Sequence, residues 1–317
     1  MIGKISEEEL LSYRGMGCEP SDFDDYWKRA IDEMKAVEPK VEMKSVDLNF
    51  KGQECFEMYF TGVGGARIYC KYIRPKNAKN MPVVFRFHGY GGRSEGWYDF
   101  LPLVSQGYCV AAMDCRGQGG KSDDVSTVKG TTLRGHIVRG LENDGSDSLL
   151  YRQVFLDTAE LVRIVEAFPE IDKNAMYVMG GSQGGGLSIA CAALSPQIKK
   201  AVVYFPFLSD YKYAYINVEK AAAFGELVEY FKMFDPRHEK ADKVFEKLGY
   251  IDIQNLAKYV KADVFMASGM KDDVVPIMTQ FAMFNKLKTK KEYYVYMERG
   301  HEKLDDIDDM ALEWLNR

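Results

Sequence analysis

Histidine is scarce in this chain, with four in 317 residues: His88, His136, His238 and His301. Chemistry that needs an imidazole base therefore has few candidates. The six cysteines (Cys18, Cys55, Cys70, Cys109, Cys115, Cys191) show no C-x-x-C spacing, which argues against a zinc ribbon or a dithiol redox motif. Most fall in apolar runs, where a free thiol packs as a small core residue. H-E-x-x-H and the G-x-x-x-x-G-K-[ST] phosphate loop are both missing, and Gly62-Val63-Gly64-Gly65 lacks the strand-to-helix setting of a dinucleotide site. No metal and no cofactor are expected. Basic charge is not in excess: 42 Lys and Arg against 47 Asp and Glu leave a net charge of -5, which disfavours nucleic acid and anionic membrane as partners. No apolar run is long enough to span a bilayer. Residues 1–9 lack the apolar core of a secretory leader, so reduced thiols and a cytoplasmic location are expected. Internal repeats and low-complexity segments are also lacking.

A hydrophobic fraction of 46% is ample for a large core. Phe23, Tyr26 and Trp27 lie at helical spacing among acidic residues, predicting an amphipathic helix on the domain surface. Strand patterns at 46–50, 55–60 and 66–73, separated by turn residues, predict an antiparallel meander. After Pro75 the texture becomes strand then helix, with strands at 82–88, 108–114, 175–179, 201–205, 263–268 and 292–297. A helical stripe covers 151–168, and a last helix lies near 306–316. This alternation predicts an α/β-hydrolase fold: a mostly parallel central sheet with flanking helices, preceded by N-terminal antiparallel strands. Two stretches interrupt it. Residues 120–150 form an excursion expected at subunit contacts, and residues 208–260 a helical, aromatic, lid-like insertion. One domain over 1–317 with these insertions is expected.

The sequence is organised around Gly180-Gly181-Ser182-Gln183-Gly184-Gly185-Gly186, between a predicted apolar strand and a predicted small-residue helix. Strand, G-x-S-x-G and helix make a nucleophile elbow, which exposes a serine hydroxyl at a helix N-terminus. A serine nucleophile needs a base and a group that orients the base. In this architecture the order is serine, acid, histidine, and His301 follows the last strand. The acid is sought in Gly269-Met270-Lys271-Asp272-Asp273-Val274-Val275-Pro276, where spacing alone does not separate Asp272 from Asp273. The oxyanion donors expected are the backbone N–H of Gln183 and that of Tyr90 in His88-Gly89-Tyr90-Gly91-Gly92.

Three motifs taken together resemble the acetyl xylan esterase/cephalosporin C deacetylase family, carbohydrate esterase family seven: Arg116-Gly117-Gln118, Gly181-Ser182-Gln183-Gly184-Gly185 and His301-Glu302. His88-Gly89-Tyr90, the block 139–152 and Gly269-Met270-Lys271-Asp272 support the match, which runs from the Phe23–Trp27 region nearly to the C-terminus. G-x-S-x-G is shared by many hydrolases; R-G-Q followed by G-S-Q-G-G and H-E is much sharper. The resemblance implies removal of O-acetyl groups from xylo-oligosaccharides and cephalosporin-type esters, with Ser182, Asp272 and His301 as the triad and Tyr90 and Gln183 at the oxyanion. It also implies no metal, structural roles for Arg116 and Gln118, and an intracellular homo-oligomer, often a hexamer. Two features depart from the family pattern: Val274-Val275-Pro276 replaces a cysteine- and proline-rich end, and the segment from Lys303 is acidic rather than glycine-rich. A peptidase of the prolyl oligopeptidase type shares G-x-S-x-G-G, but the N-terminal region here is too short for the β-propeller those enzymes usually carry. The presence of all three triad residue types argues against an inactive carbohydrate-binding relative.

Overall fold

The structure, a computed structural model, describes residues 5–129, 135–217, 219 and 221–317. Residues 1–4, where the sequence predicts no secretory leader, 130–134 of the expected excursion, and 218 and 220 of the expected lid lie outside the described residues.

Nine strands form one sheet among the described residues: β1 (Glu42–Val46), β2 (Gln53–Thr61), β3 (Arg67–Pro75), β4 (Met81–Phe87), β5 (Cys109–Met113), β6 (Ile171–Gly181), β7 (Lys200–Tyr204), β8 (Asp263–Gly269) and β9 (Lys291–Tyr296). Their order is β1-β2-β3-β5-β4-β6-β7-β8-β9. Pairings from β1 through β3 to β5 are antiparallel, and all those from β5 to β9 are parallel. This is the α/β-hydrolase arrangement, with the antiparallel meander at one edge.

The central strands are apolar on both faces because helices cover both. Every residue of β5 is buried. On one face lie helices Leu150–Glu166 and Gln183–Leu194, in the main core. Helix Phe23–Ala36 buries Phe23, Tyr26, Trp27, Ala30 and Met34 there, with the Trp27 ring stacked on Phe155 at 6.0 Å. The last helix, Ile307–Asn316, covers the opposite face, where Ala311, Trp314 and Leu315 pack with Val202 and Phe265.

The first strand differs from expectation. It runs over Glu42–Val46, and the 46–50 pattern belongs mostly to the hairpin turn that follows. There the Asp47 carboxylate accepts the Asn49 N–H at 2.9 Å, Asn49 has φ 56° and Gly52 φ 89°. Leu48 and Phe50 are apolar because they cap a small cluster around Phe100 and Val110 from that loop.

The described part of the excursion before Leu149 carries no helix or strand and is pinned by side chains, including an Arg139–Asp124 ion pair at 2.6 Å. Residues 208–260 hold short helices Tyr211–Ile216, Gly225–Phe234, Ala241–Gly249 and Ile253–Leu256, and the aromatics buried in this stretch include Tyr211, Phe224, Tyr230 and Phe231. All six cysteines are free, and all but Cys18 are buried. Among the described residues no helix is long and apolar enough to cross a membrane. Because β4 to β9 run parallel, the turns following them open on one edge of the sheet.

Candidate active site

Strand β6 delivers Ser182 into helix Gln183–Leu194 with φ 55° and ψ −123°, a conformation that costs a non-glycine residue about 1–3 kcal/mol. Its neighbours hold it there. The Ser182 N–H donates to the Tyr204 carbonyl at 2.9 Å, and its own carbonyl accepts the Phe207 N–H at 3.0 Å and the Gly186 N–H at 3.1 Å. The flanking glycines are required by close approach: a Cβ at Gly184 would sit 1.9 Å from the Phe87 carbonyl oxygen, and one at Gly180 would sit 2.5 Å from the Gly184 backbone. The helix therefore presses directly on the end of β4.

That contact brings the turn after β4 to the helix N-terminus. Gln183 is the first residue of the helix, so its N–H is one of the donors an α-helix leaves without an internal acceptor. Its side chain is fully buried and donates to the His88 carbonyl at 3.3 Å. Gln183 and Gln118 form a reciprocal amide pair, with Gln118 Nε2 donating to Gln183 Oε1 at 2.9 Å and Gln183 Nε2 to Gln118 Oε1 at 3.1 Å. Gln118 Oε1 also accepts the Gly91 N–H at 2.8 Å, and the Tyr151 hydroxyl donates to Gln183 Oε1 at 2.7 Å. The elbow, the turn holding Tyr90 and the loop after β5 are thus laced together through Gln118 and Gln183. Arg116 lies deeper, 1% exposed, with Nε and Nη2 on the two oxygens of the fully buried Asp157 at 2.6 and 2.5 Å and Nη1 on the Val63 carbonyl at 3.1 Å. Burial pushes the Asp157 carboxyl up, and the guanidinium opposes that shift.

The histidines separate by environment. His88 is buried: Nδ1–H donates to the Gly89 carbonyl at 2.7 Å and Nε2 accepts the Cys115 N–H at 2.9 Å. Burial lowers its pKa, so it serves as a neutral brace. His136 lies against the Tyr90 ring at 4.9 Å, with its pKa lowered chiefly by burial. His238 is an exposed residue of the 208–260 insertion beside the Tyr215 hydroxyl. His301 follows β9 and places Nδ1 2.8 Å from Asp272 Oδ2. Its ring lies 4.4 Å from that of Phe205, which also packs where a Gly181 side chain would stand. The Asp272–His301 pair is therefore beside the elbow. Among the described residues the Ser182 hydroxyl forms no hydrogen bond with the imidazole, as is common before substrate tightens such a site.

Asp272 is buried, and Asp273 is exposed. Asp272 Oδ1 accepts the N–H groups of Val274 and Val275 at 3.0 and 2.8 Å, which aims Oδ2 at His301. Gln280 braces the same oxygen at 3.3 Å and is itself held by Ser268 at 2.6 Å and the Val275 carbonyl at 2.7 Å. Sequence reasoning passed over Gln280, Tyr151, Phe205 and Glu226. A single amide within the apolar helix Ile277–Phe284 was a signal for the first; the others read as ordinary core or lid residues. No group of three or more His, Cys, Asp or Glu among the described residues is arranged to hold a metal ion.

The profile of one family, described as acetyl xylan esterase (AXE1), matches residues 2–317. The chain belongs to that family. Among solved structures it is similar to acetyl xylan esterase 1 from Thermoanaerobacterium sp. JW/SL YS485, 49% identical, with a TM-score of 0.96 and 98% of each chain covered. An acetyl xylan esterase from Paenibacillus sp. R4 is 29% identical, with a TM-score of 0.94 over 98% of this chain and 99% of that one. Among characterised relatives, acetyl esterase Axe7A of Xylanibacter ruminicola is 26% identical over 307 residues, covering 94% of this chain and 67% of its own length. The family makes this protein a carboxylic-ester hydrolase and favours neither a peptidase nor an inactive relative.

Proposed function

We propose that the protein removes O-acetyl groups from acetylated sugars through an acetyl-enzyme on Ser182. The observation that carries this reading is the buried Asp272 carboxylate on His301 Nδ1, 2.8 Å away and beside the serine elbow. With Nδ1–H donated to Asp272, Nε2 is the imidazole's proton acceptor. In the first half-reaction the Ser182 oxygen bonds to the acetyl carbon as its proton passes to His301 Nε2. The tetrahedral intermediate expels the sugar oxygen, which takes that proton and leaves as an alcohol. In the second, water attacks the acetyl carbon, its proton passes to His301, and the bond to Ser182 breaks. The serine recovers the proton and acetate departs. Asp272 stabilises the imidazolium formed in each half. The N–H groups of Tyr90 and Gln183 stabilise the oxyanion, aided by the positive end of the elbow helix. Arg116 and Gln118 hold the surrounding loops.

Cephalosporin C-type esters as further substrates, a cytoplasmic location and a homo-oligomer, with the excursion at its contacts, complete the proposal; the family resemblance supports them. The test is turnover of acetylated xylo-oligosaccharides by Ser182→Ala. A loss of about 10⁴-fold or more in kcat, with unchanged melting, is expected. Retained activity would refute the reading.

A further inference from the structure

Tyr90 belongs to the turn after β4, in which Gly91 has φ 67°. His88 holds the Gly89 carbonyl and Gln118 the Gly91 N–H, and the Tyr90 side chain adds a tie to residues outside the elbow, reaching across to the 208–260 insertion. The Tyr90 hydroxyl donates to Glu226 Oε1 at 2.5 Å and accepts the His136 N–H at 2.8 Å. Glu226 Oε2 accepts the N–H groups of Ile137 and Val138 at 2.8 and 3.1 Å. A Cβ at Gly135 would sit 2.1 Å from that oxygen, so the excursion backbone lies directly on the carboxylate. The Tyr90 ring is flanked by His136 and by Phe207 at 5.8 Å, and Phe207 meets Phe224 at 4.7 Å, just before the Glu226 helix.

Glu226 is an expensive choice for a mere staple. It is half-buried, and loss of solvent pushes its carboxyl up against the pull of these hydrogen bonds. What a carboxylate provides is polarity: it only accepts, so the Tyr90 hydroxyl must donate to it and is left free to accept from His136. The tyrosine side chain is rigid, and anchoring its hydroxyl restrains the backbone from which it springs. Oxyanion donors are useful only within a few tenths of an ångström of their target.

We propose that Glu226 is a positioning residue for acyl transfer, setting the Tyr90 N–H against the developing oxyanion through the Tyr90 hydroxyl. This rests on the reading of Tyr90 as an oxyanion donor. The test compares the full-length wild type, Glu226→Gln, Tyr90→Phe and the double variant. It measures p-nitrophenyl acetate turnover and affinity for a trifluoromethyl ketone, whose carbonyl carbon bonds to the attacking serine and whose oxygen becomes the oxyanion. Each single change should lower kcat about 10- to 100-fold with KM within about 2-fold, and weaken ketone binding by a similar factor. The double variant should be no worse than the poorer single one, because both act through one bond. Tyr90→Phe keeps the Glu226 bonds to Ile137 and Val138, so it carries the test if Glu226→Gln does not fold. Unchanged kcat in Tyr90→Phe, or a rise in KM alone, overturns the inference. Failure of a fluorophosphonate to label Ser182 in the wild type would instead refute the underlying site reading, whatever the Glu226 variants do.

Discussion

Asp272 and Asp273 stand side by side in the chain, yet only one carboxylate reaches an imidazole. The difference comes from the turn after β8. Two backbone N–H groups fix one oxygen of Asp272 and leave the other 2.8 Å from His301, while Asp273 faces solvent. Spacing could not reveal this, because adjacent residues share it; the local hydrogen bonds decide. Asp272→Asn should reduce kcat by about 10⁴-fold, since an amide that donates to Nδ1 selects the wrong imidazole tautomer. Asp273→Asn should stay near wild type in the same acetyl-ester assay. The reverse ranking would reassign the acid. The elbow conformation at Ser182 was legible for the opposite reason: a strained elbow needs glycines around it, and glycines show in a sequence. Glu226 was not legible, because a lone glutamate on an amphipathic helix looks like any solvent-facing one, and only the tertiary fold brings Tyr90 and residues 136–138 to it.

At the scale of elements, the elbow helix and β4 approach until no side chain fits between them. Gly184→Ala puts a methyl group 1.9 Å from the Phe87 carbonyl oxygen, and backbone cannot swing aside as a flexible side chain would. A loss of about 1–3 kcal/mol or more in urea unfolding is expected; an unchanged midpoint would contradict that packing. Arg116 joins the loop after β5 to helix Leu150–Glu166 through Asp157. Arg116→Met would strand a buried carboxylate and should cost about 3–5 kcal/mol in the same measurement. The parallel strands and the 151–168 helix were readable because their apolar periodicity matches the faces they bury. The first strand was misplaced by the same criterion. Leu48 and Phe50 are apolar in a turn, since a loop folded over a small cluster presents the signal of a strand.

Over the whole molecule, one polar cluster ties residues 13–17 to the 208–260 insertion. The Tyr13 hydroxyl donates to Asp210 at 2.6 Å, as do the N–H groups of Met16 at 3.1 Å and Gly17 at 3.0 Å. Asp252 caps the Asp210 N–H at 3.0 Å. Burial, with Asp210 nearby, pushes the Asp252 carboxyl up from 3.8 to about 7. The folded protein thus keeps a proton that the unfolded chain releases between about pH 4 and 7. The stabilisation is full below the unfolded value and is lost as pH rises through the folded one. Asp252→Asn should remove this contribution, so the fall in urea midpoint between pH 5 and pH 8 should be smaller than in wild type. An identical fall would show that Asp252 does not titrate in that range. The architecture of the sheet was legible because periodicity and turn residues are local. The joins between insertions and core were not, since they depend on single long-range contacts such as Tyr13 with Asp210.

The central claim, that acetyl transfer passes through Ser182, is tested most directly by quenching the protein in acid during turnover of an activated acetate ester and mapping its peptides by mass. One acetyl group should appear on the peptide carrying Ser182 and be absent from the Ser182→Ala protein. Turnover with the acetyl group on another residue, or with no Ser182 adduct while Asp272→Asn and wild type react alike, would contradict it.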